Sequence, residues 1–152
     1  MSGGLFLPVS FSLISKCITW ANAISLLSPG SGSLFFLYSW FIFASIFGRP
    51  ENLHCWLERV KDWDLSRQNT VVGGSALGNA VYMGANKLET VKVLLDAGAS
   101  LDYRTFSGSS ALTNAVSNED SDPDVIRIIL EKLKSSYSPK EFSSIVNYKK
   151  KS

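Results

Sequence analysis

Apolar residues recur every three or four positions along two stretches in the second half of the chain. Spacing of this kind is typical of the buried face of an amphipathic helix. A shorter run built around Ala80 or Ala115 precedes each stretch, and a polar loop separates the two. The pattern therefore predicts two units, each made of two short helices. The recurring positions are Leu88, Val91, Leu94 and Leu95 in the first unit, and Val125, Ile128 and Ile129 in the second.

The second helix of each unit carries an equivalent leucine, Leu95 in one and Leu130 in the other. We expect both leucines to be buried, because they continue the apolar face. Lys92 and Arg127 fall outside that face and are expected on the surface.

The two units repeat with one constant offset. Placing "GGSALGNAVYMGANKLETVKVLLD" (residues 73–96) over "GSSALTNAVSNEDSDPDVIRIILE" (residues 108–131) aligns them at an offset of 35 without a gap. A constant offset over so long a stretch is typical of a repeated supersecondary unit.

Local signals mark where these helices begin and end. Ser75 and Ser110 precede the first helix of each unit, where a hydroxyl can accept a hydrogen bond from the helix start. Asp122 followed by Pro123 predicts the start of the last apolar helix. Gly98 stands where a left-handed residue would end the preceding helix.

At these residues the chain resembles the ankyrin repeat family. The family motif G-x-T-P-L-H-x-A appears as "GGSALGNA" and "GSSALTNA", and E-V-V-K-L-L-L-x-x-G-A appears as "ETVKVLLDAGA". Two clear copies cover residues 73–107 and 108–146, and a degenerate copy anchored at Gly48 and Leu57 covers about 37–72. The resemblance implies an all-α solenoid of about three helix-turn-helix repeats with finger loops.

Residues 34–152 are therefore predicted to form an ankyrin-repeat region. Both clear copies lack the Pro and His of the motif, so the hydrogen bonds that those residues provide cannot form, although Ser75 and Ser110 can still cap. The tail "IVNYKKKS" is similar to "SLDYRTFS", which leads into the next repeat. This similarity predicts a region truncated at its C-terminal end.

The resemblance also implies where a partner would bind. Family members hold their ligands with the finger loops and the inner-helix face, so we expect another protein to bind there. The alternative for Tyr103 and Phe106 is packing between neighbouring fingers. The predicted partner-binding residues are Arg67 in the first finger (66–71), Asn79, Tyr82 and Asn114 on inner helices, and Tyr103, Arg104 and Phe106 in the second finger (102–107).

Charge and chemistry narrow the possible functions. The net charge of +2 comes from interspersed acids and bases, which gives no indication of nucleic-acid binding. A single histidine, His54, allows no Ser-His-Asp set, and we predict neither enzymatic activity nor a cofactor. Cys17 and Cys55 are interpreted as free thiols of a reducing compartment, which favours the cytoplasm.

One acidic stretch invites a metal interpretation. Asp120, Asp122, Asp124 and Glu131 fit four positions of a calcium loop. The glycine that such a loop requires is replaced by Val125, and the following residues belong to an apolar helix face. We therefore expect helix capping by Asp122 and no metal site.

The first third of the chain is apolar, and its status stays open. Residues 1–33 form an apolar N-terminal segment, and "LFFLYSWFIFASIF" (34–47) continues it, with Lys16 as the sole charged residue before Arg49. Membrane association through residues 5–47 is one interpretation, although a clean span needs about 20 uninterrupted apolar residues. Another is that residues 37–47 form a degenerate inner helix packed on Leu53, Trp56 and Leu57. A third is that residues 1–33 are not native coding sequence.

Together these features predict a non-catalytic protein-protein interaction module. The alternatives are a small membrane-anchored protein with an ankyrin-repeat tail, and a fragment of a longer repeat array.

Overall fold

The computed structural model describes residues 31–70 and 72–147. Within that part of the chain there are seven α-helices and no β-strand, so the predicted all-α class is confirmed. Most of the apolar segment 1–33, including Cys17, and the tail beyond residue 147 lie outside the described residues. The helices are α1 (Ser31–Ile46), α2 (Pro50–Arg59), α3 (Ala76–Met83), α4 (Lys87–Asp96), α5 (Ala111–Ser117), α6 (Pro123–Ser136) and α7 (Pro139–Val146).

The helices form pairs that stack in two rows. Helix α1 packs on α2, α3 on α4, and α5 on α6. Helices α1, α3 and α5 also contact one another in order and form one row, while α2, α4 and α6 form the other. Each predicted unit thus contributes one helix to each row, and α7 packs against α6 at the end.

The predicted helix starts are confirmed by their capping hydrogen bonds. The Ser75 hydroxyl accepts from the backbone N–H of Gly78 at 3.2 Å, and the Ser110 hydroxyl accepts from that of Thr113 at 3.1 Å. The Asp122 carboxylate accepts from the N–H of Asp124 at 2.8 Å at the start of α6. The acidic stretch thus supplies the expected helix cap.

Helix α7 is held at its start by a reciprocal cap that the sequence pattern did not lead us to predict. The Ser138 hydroxyl accepts from the N–H of Glu141, whose carboxylate accepts in turn from the N–H and hydroxyl of Ser138. These hydrogen bonds hold the pKa of Glu141 below its usual range, because they stabilise the charged carboxylate.

One apolar core runs through both rows, from Phe41 to Leu133. Leu94 and Ile129 are equivalent in the period, and both are fully buried. Leu95 is buried as predicted, but Leu130 is only partly buried, so that expectation was wrong. The two helices differ in position, because α4 lies between α2 and α6, whereas α6 ends the row and has only the short α7 on its other side.

The first helix pair is held together by aromatic side chains. Phe41 of α1 lies 6.0 Å from Trp56 of α2 and 5.4 Å from Trp63, measured between ring centroids. The two tryptophan rings meet edge to face at 4.9 Å. The interpretation of residues 37–47 as a helix packed on the helix of Leu53 and Trp56 is therefore confirmed.

The opposite side of α1 is apolar and exposed. Trp40 and Phe43 lie there, and Phe47, directly after the last residue of α1, continues the same spacing of three and four residues. Within the part of the chain that the structure describes, no helix combines the length and the apolar character needed to cross a bilayer.

Candidate binding groove

The two finger loops are tight turns tied to each other. In the first, the Asn69 side chain accepts from the N–H of Val72 at 2.8 Å; its residue 71 lies outside the described residues. In the second, the N–H of Thr105 donates to the carbonyl of Ser109 at 2.9 Å. Gln68 then donates to the carbonyl of Arg104 at 2.6 Å, which fixes one finger beside the next.

A groove of about 280 Å³ opens between these fingers and the row of α3 and α5, and we call it the central groove. Its floor and walls come from α3, α5, the second finger and the segment that follows the first finger, at Val72 and Gly74. No Asp, Glu, Lys, Arg or His lines it. The lining residues that matter below are Val72, Asn79, Tyr82, Met83, Tyr103 and Asn114.

Four of the seven predicted binding residues meet in the central groove. Asn79 and Tyr82 come from α3, Asn114 from α5 and Tyr103 from the second finger. Asn79 is buried, Asn114 is partly buried, and Tyr82 is 53% exposed at the rim. Residues of three separate segments thus converge on one surface.

Tyr103 differs from its expected placement. A partner-binding side chain needs exposed surface, but Tyr103 is only 8% exposed. Its ring lies against α3 at Gly78, where an added Cβ atom would stand 2.6 Å from the hydroxyl oxygen. The small residue in α3 makes room for the aromatic ring, so packing is the main role that the structure gives Tyr103.

The other three predicted residues lie outside this groove. Arg67 is exposed and places its guanidinium over the Tyr38 ring, 5.2 Å from the centroid. Arg104 reaches the carbonyl of Ile145 at 3.0 Å and so ties the second finger to α7. Phe106 is 64% exposed, and its backbone N–H donates to the carbonyl of Val72 at 3.2 Å.

Two apolar rim residues escaped the sequence interpretation. Val72 and Met83 are each 52% exposed and border the groove beside Tyr82. Met83 is the last residue of α3 and lies beyond the last buried position, Val81. An apolar residue at such an exposed helix end is a sequence signal that could have indicated the groove rim. Val72 lies in a loop and carries no periodic signal.

No group of three or more His, Cys, Asp or Glu side chains in the described ranges is arranged to hold a metal ion. His54 is exposed on α2, and its Nδ1 lies 3.6 Å from the Glu58 carboxylate. A larger groove of about 470 Å³ between α2 and α4 contains both residues, along with Lys61 and Asp96. Its charged groups are exposed side chains of α2, α4 and the turn at Lys61, which makes it a weaker candidate than the central groove.

Two buried tyrosines, Tyr38 and Tyr103, allow the contribution of their hydroxyl groups to stability to be compared. The Tyr38 hydroxyl donates to the carbonyl of Arg67, whereas the Tyr103 hydroxyl has no hydrogen-bond partner of good geometry. Burial raises the pKa of Tyr103, and the nearby Ser75 offsets only part of that rise. We expect Tyr38→Phe to lower the free energy of unfolding by about 0.5 to 1.5 kcal/mol and Tyr103→Phe to leave it unchanged or raise it. Urea unfolding of both variants tests this, and a larger loss for Tyr103→Phe would show that its hydroxyl is bonded.

Comparisons with known proteins do not identify the chain. No model of a known protein family matches it, and a search of curated proteins finds no significant similarity. Its function has to be inferred from its own residues and their geometry.

Proposed function

We propose that the chain is a non-catalytic, ankyrin-type repeat module that binds another protein through the central groove and the adjoining fingers. The period of 35 residues supports a repeat, and the helix pairs stacked in two rows are the arrangement that such a repeat requires. Capped inner helices and paired finger turns support the same assignment.

The observation that carries the proposal is the convergence of Asn79, Tyr82, Tyr103 and Asn114 on one groove. A ligand-binding surface needs side chains from separate segments at one place, and the sequence pattern predicts these same four residues as binding residues. The partly buried Asn114 supplies a polar side chain, while Tyr82 and Met83 at the rim supply apolar area.

The physical character of the groove fits recognition by packing. Tyrosine gives a large contact area and loses little conformational entropy on binding, which is why it is common among interface hot spots. Because no charged side chain lines the groove, binding there is expected to depend only weakly on salt. Arg67 and Phe106 lie on the finger surface and extend the area that a protein partner would cover.

A pair of equally exposed aromatics tests the proposal. Tyr82 in the groove and Trp40 on α1 are 53% and 52% exposed. For a partner recovered with the wild-type chain, Tyr82→Ala is expected to weaken binding by about 1 to 3 kcal/mol and Trp40→Ala by less than about 0.5 kcal/mol. Calorimetric titration measures both, with circular dichroism to confirm that each variant stays folded. The reverse order of effects would place the binding surface on α1.

The second candidate function is association with a membrane surface. It is favoured by the exposed aromatic side of α1, since aromatic side chains are enriched at bilayer interfaces. Co-sedimentation with phosphatidylcholine vesicles tests it. This function predicts binding that Trp40→Ala weakens and Tyr82→Ala does not.

A further inference from the structure

Helix α1 has two apolar sides, and only one of them is buried. Tyr38, Phe41, Ile42 and Ser45 follow the helical spacing of three and four residues, and all are at most 7% exposed. The second set, Trp40, Phe43 and Phe47, follows the same spacing and is 46 to 64% exposed. We call this second set the α1 outer face.

The α1 outer face is continuous rather than a scatter of single residues. The ring of Phe43 lies 6.2 Å from Trp40 on one side and 6.2 Å from Phe47 on the other. Monomeric proteins seldom leave a contiguous aromatic patch open to water, because covering it gains hydrophobic free energy.

The position of α1 in its row explains the open side. Helix α3 lies between α1 and α5, so its row neighbours contact it on two sides. Helix α1 has α3 on one side of the row and no other described helix beyond it. Terminal units of repeat proteins are normally capped by a polar outer face, and α1 lacks one.

We propose that the chain's own apolar stretch, residues 5–27, covers the α1 outer face. This stretch ends shortly before Ser31, where α1 begins, so covalent linkage keeps it at high effective concentration beside the face. It contains many apolar side chains and a single charge, Lys16. Contact between residues 5–27 and the α1 outer face removes apolar surface of both from water, which is favourable.

Charge supports this occupant over an unrelated soluble protein. No charged residue occurs between Lys16 and Arg49, so neither surface carries ionised groups that would lose hydration on contact. A second copy docking through the α1 outer face would cover that face in both chains and leave both 5–27 stretches in water. The inference does not depend on the proposed function of the central groove.

Cys17 provides a direct test, because it lies within the stretch. In the full chain carrying Cys55→Ser, Trp40→Cys, Phe43→Cys and Phe47→Cys are introduced one at a time, and each variant is treated at low protein concentration with a short bis-maleimide. Intact mass and peptide mapping then identify links between Cys17 and the new thiol. Val116→Cys on α5 is the matched control, since Val116 is 61% exposed and lies on another helix.

We expect intramolecular links from at least one α1 position, at a yield several times that of the Val116→Cys control. Links between two chains would overturn the proposal in favour of a second copy as the occupant. Equal yields at all positions, or no link at any α1 position, would overturn it by showing that the stretch does not lie on the face. Circular dichroism of each variant checks that the helices are intact. We expect them to be, because the replaced side chains are exposed.

Discussion

Leu94→Ala is expected to lower the free energy of unfolding by about 2 to 5 kcal/mol. Leu94 lies in α4, the central helix of its row, and is fully buried in the core. Truncation leaves a cavity that neighbouring helices on both sides cannot readily fill. Urea unfolding followed by circular dichroism measures the loss.

Residues that lie on less buried faces of α4 and α6 provide the controls for this result. Lys92 and Glu89 form an exposed ion pair at 3.0 Å, so Lys92→Ala should change stability by no more than about 0.5 kcal/mol. Leu130→Ala should cost less than Leu94→Ala, because Leu130 is only partly buried. Greater sensitivity at Leu130 than at Leu94 would contradict the observed helical faces.

Gly48→Ala is expected to cost about 3 kcal/mol or more, for two reasons that add together. Gly48 has φ +58°, a left-handed conformation that disfavours any side chain. An added Cβ atom would also stand 2.0 Å from the backbone carbonyl oxygen of Ala85, in the loop between α3 and α4. The same contact region holds the hydrogen bond from the N–H of Ala85 to the carbonyl of Ile46 at 2.9 Å.

Gly98→Ala separates those two causes. Gly98 has φ +90°, but an added Cβ atom there would meet no atom within 4 Å. Only the conformational cost remains, about 1 to 2 kcal/mol. Thermal or urea unfolding of both variants gives the difference, and equal losses would show that the contact between the Gly48 turn and Ala85 contributes nothing.

Much of the fold was predictable because its signals are local. The spacing of apolar residues in α4 and α6 and the caps at Ser75, Ser110 and Asp122 depend only on near neighbours in sequence. The period of 35 residues then indicated that the pairs are equivalent units, and their packing in two rows agrees with it.

The features that escaped prediction depend on distant contacts or on position in the row. Tyr103 is buried because Gly78, far away in sequence, leaves room for its ring. Leu130 is partly exposed because its helix ends a row, which the identical apolar pattern of the two units does not reveal. Arg104 donates to the carbonyl of Ile145 near the end of α7, a helix that the apolar pattern did not indicate.

The candidate site was predictable in part for the same reason. Asn79, Tyr82 and Asn114 were selected by their places on inner helices, and the stacking of α3 on α5 brings them together. Val72 and Met83 were missed, since their role depends on how a finger folds over the end of α3. The separation of Arg67 from the central groove reflects its contact with Tyr38 of α1.

The central claim is that this module binds a protein partner in the central groove. Site-specific photo-crosslinking in cells tests it most directly, with a photoreactive phenylalanine analogue placed at position 82 in one experiment and at position 40 in another. The two natural side chains are 53% and 52% exposed in the described structure, and coverage of position 40 by residues 5–27 would give links within the chain, not to another protein. We predict a discrete crosslinked protein from position 82, absent from position 40 and reduced by Met83→Ala. Adducts from position 40 with none from position 82 would contradict the claim.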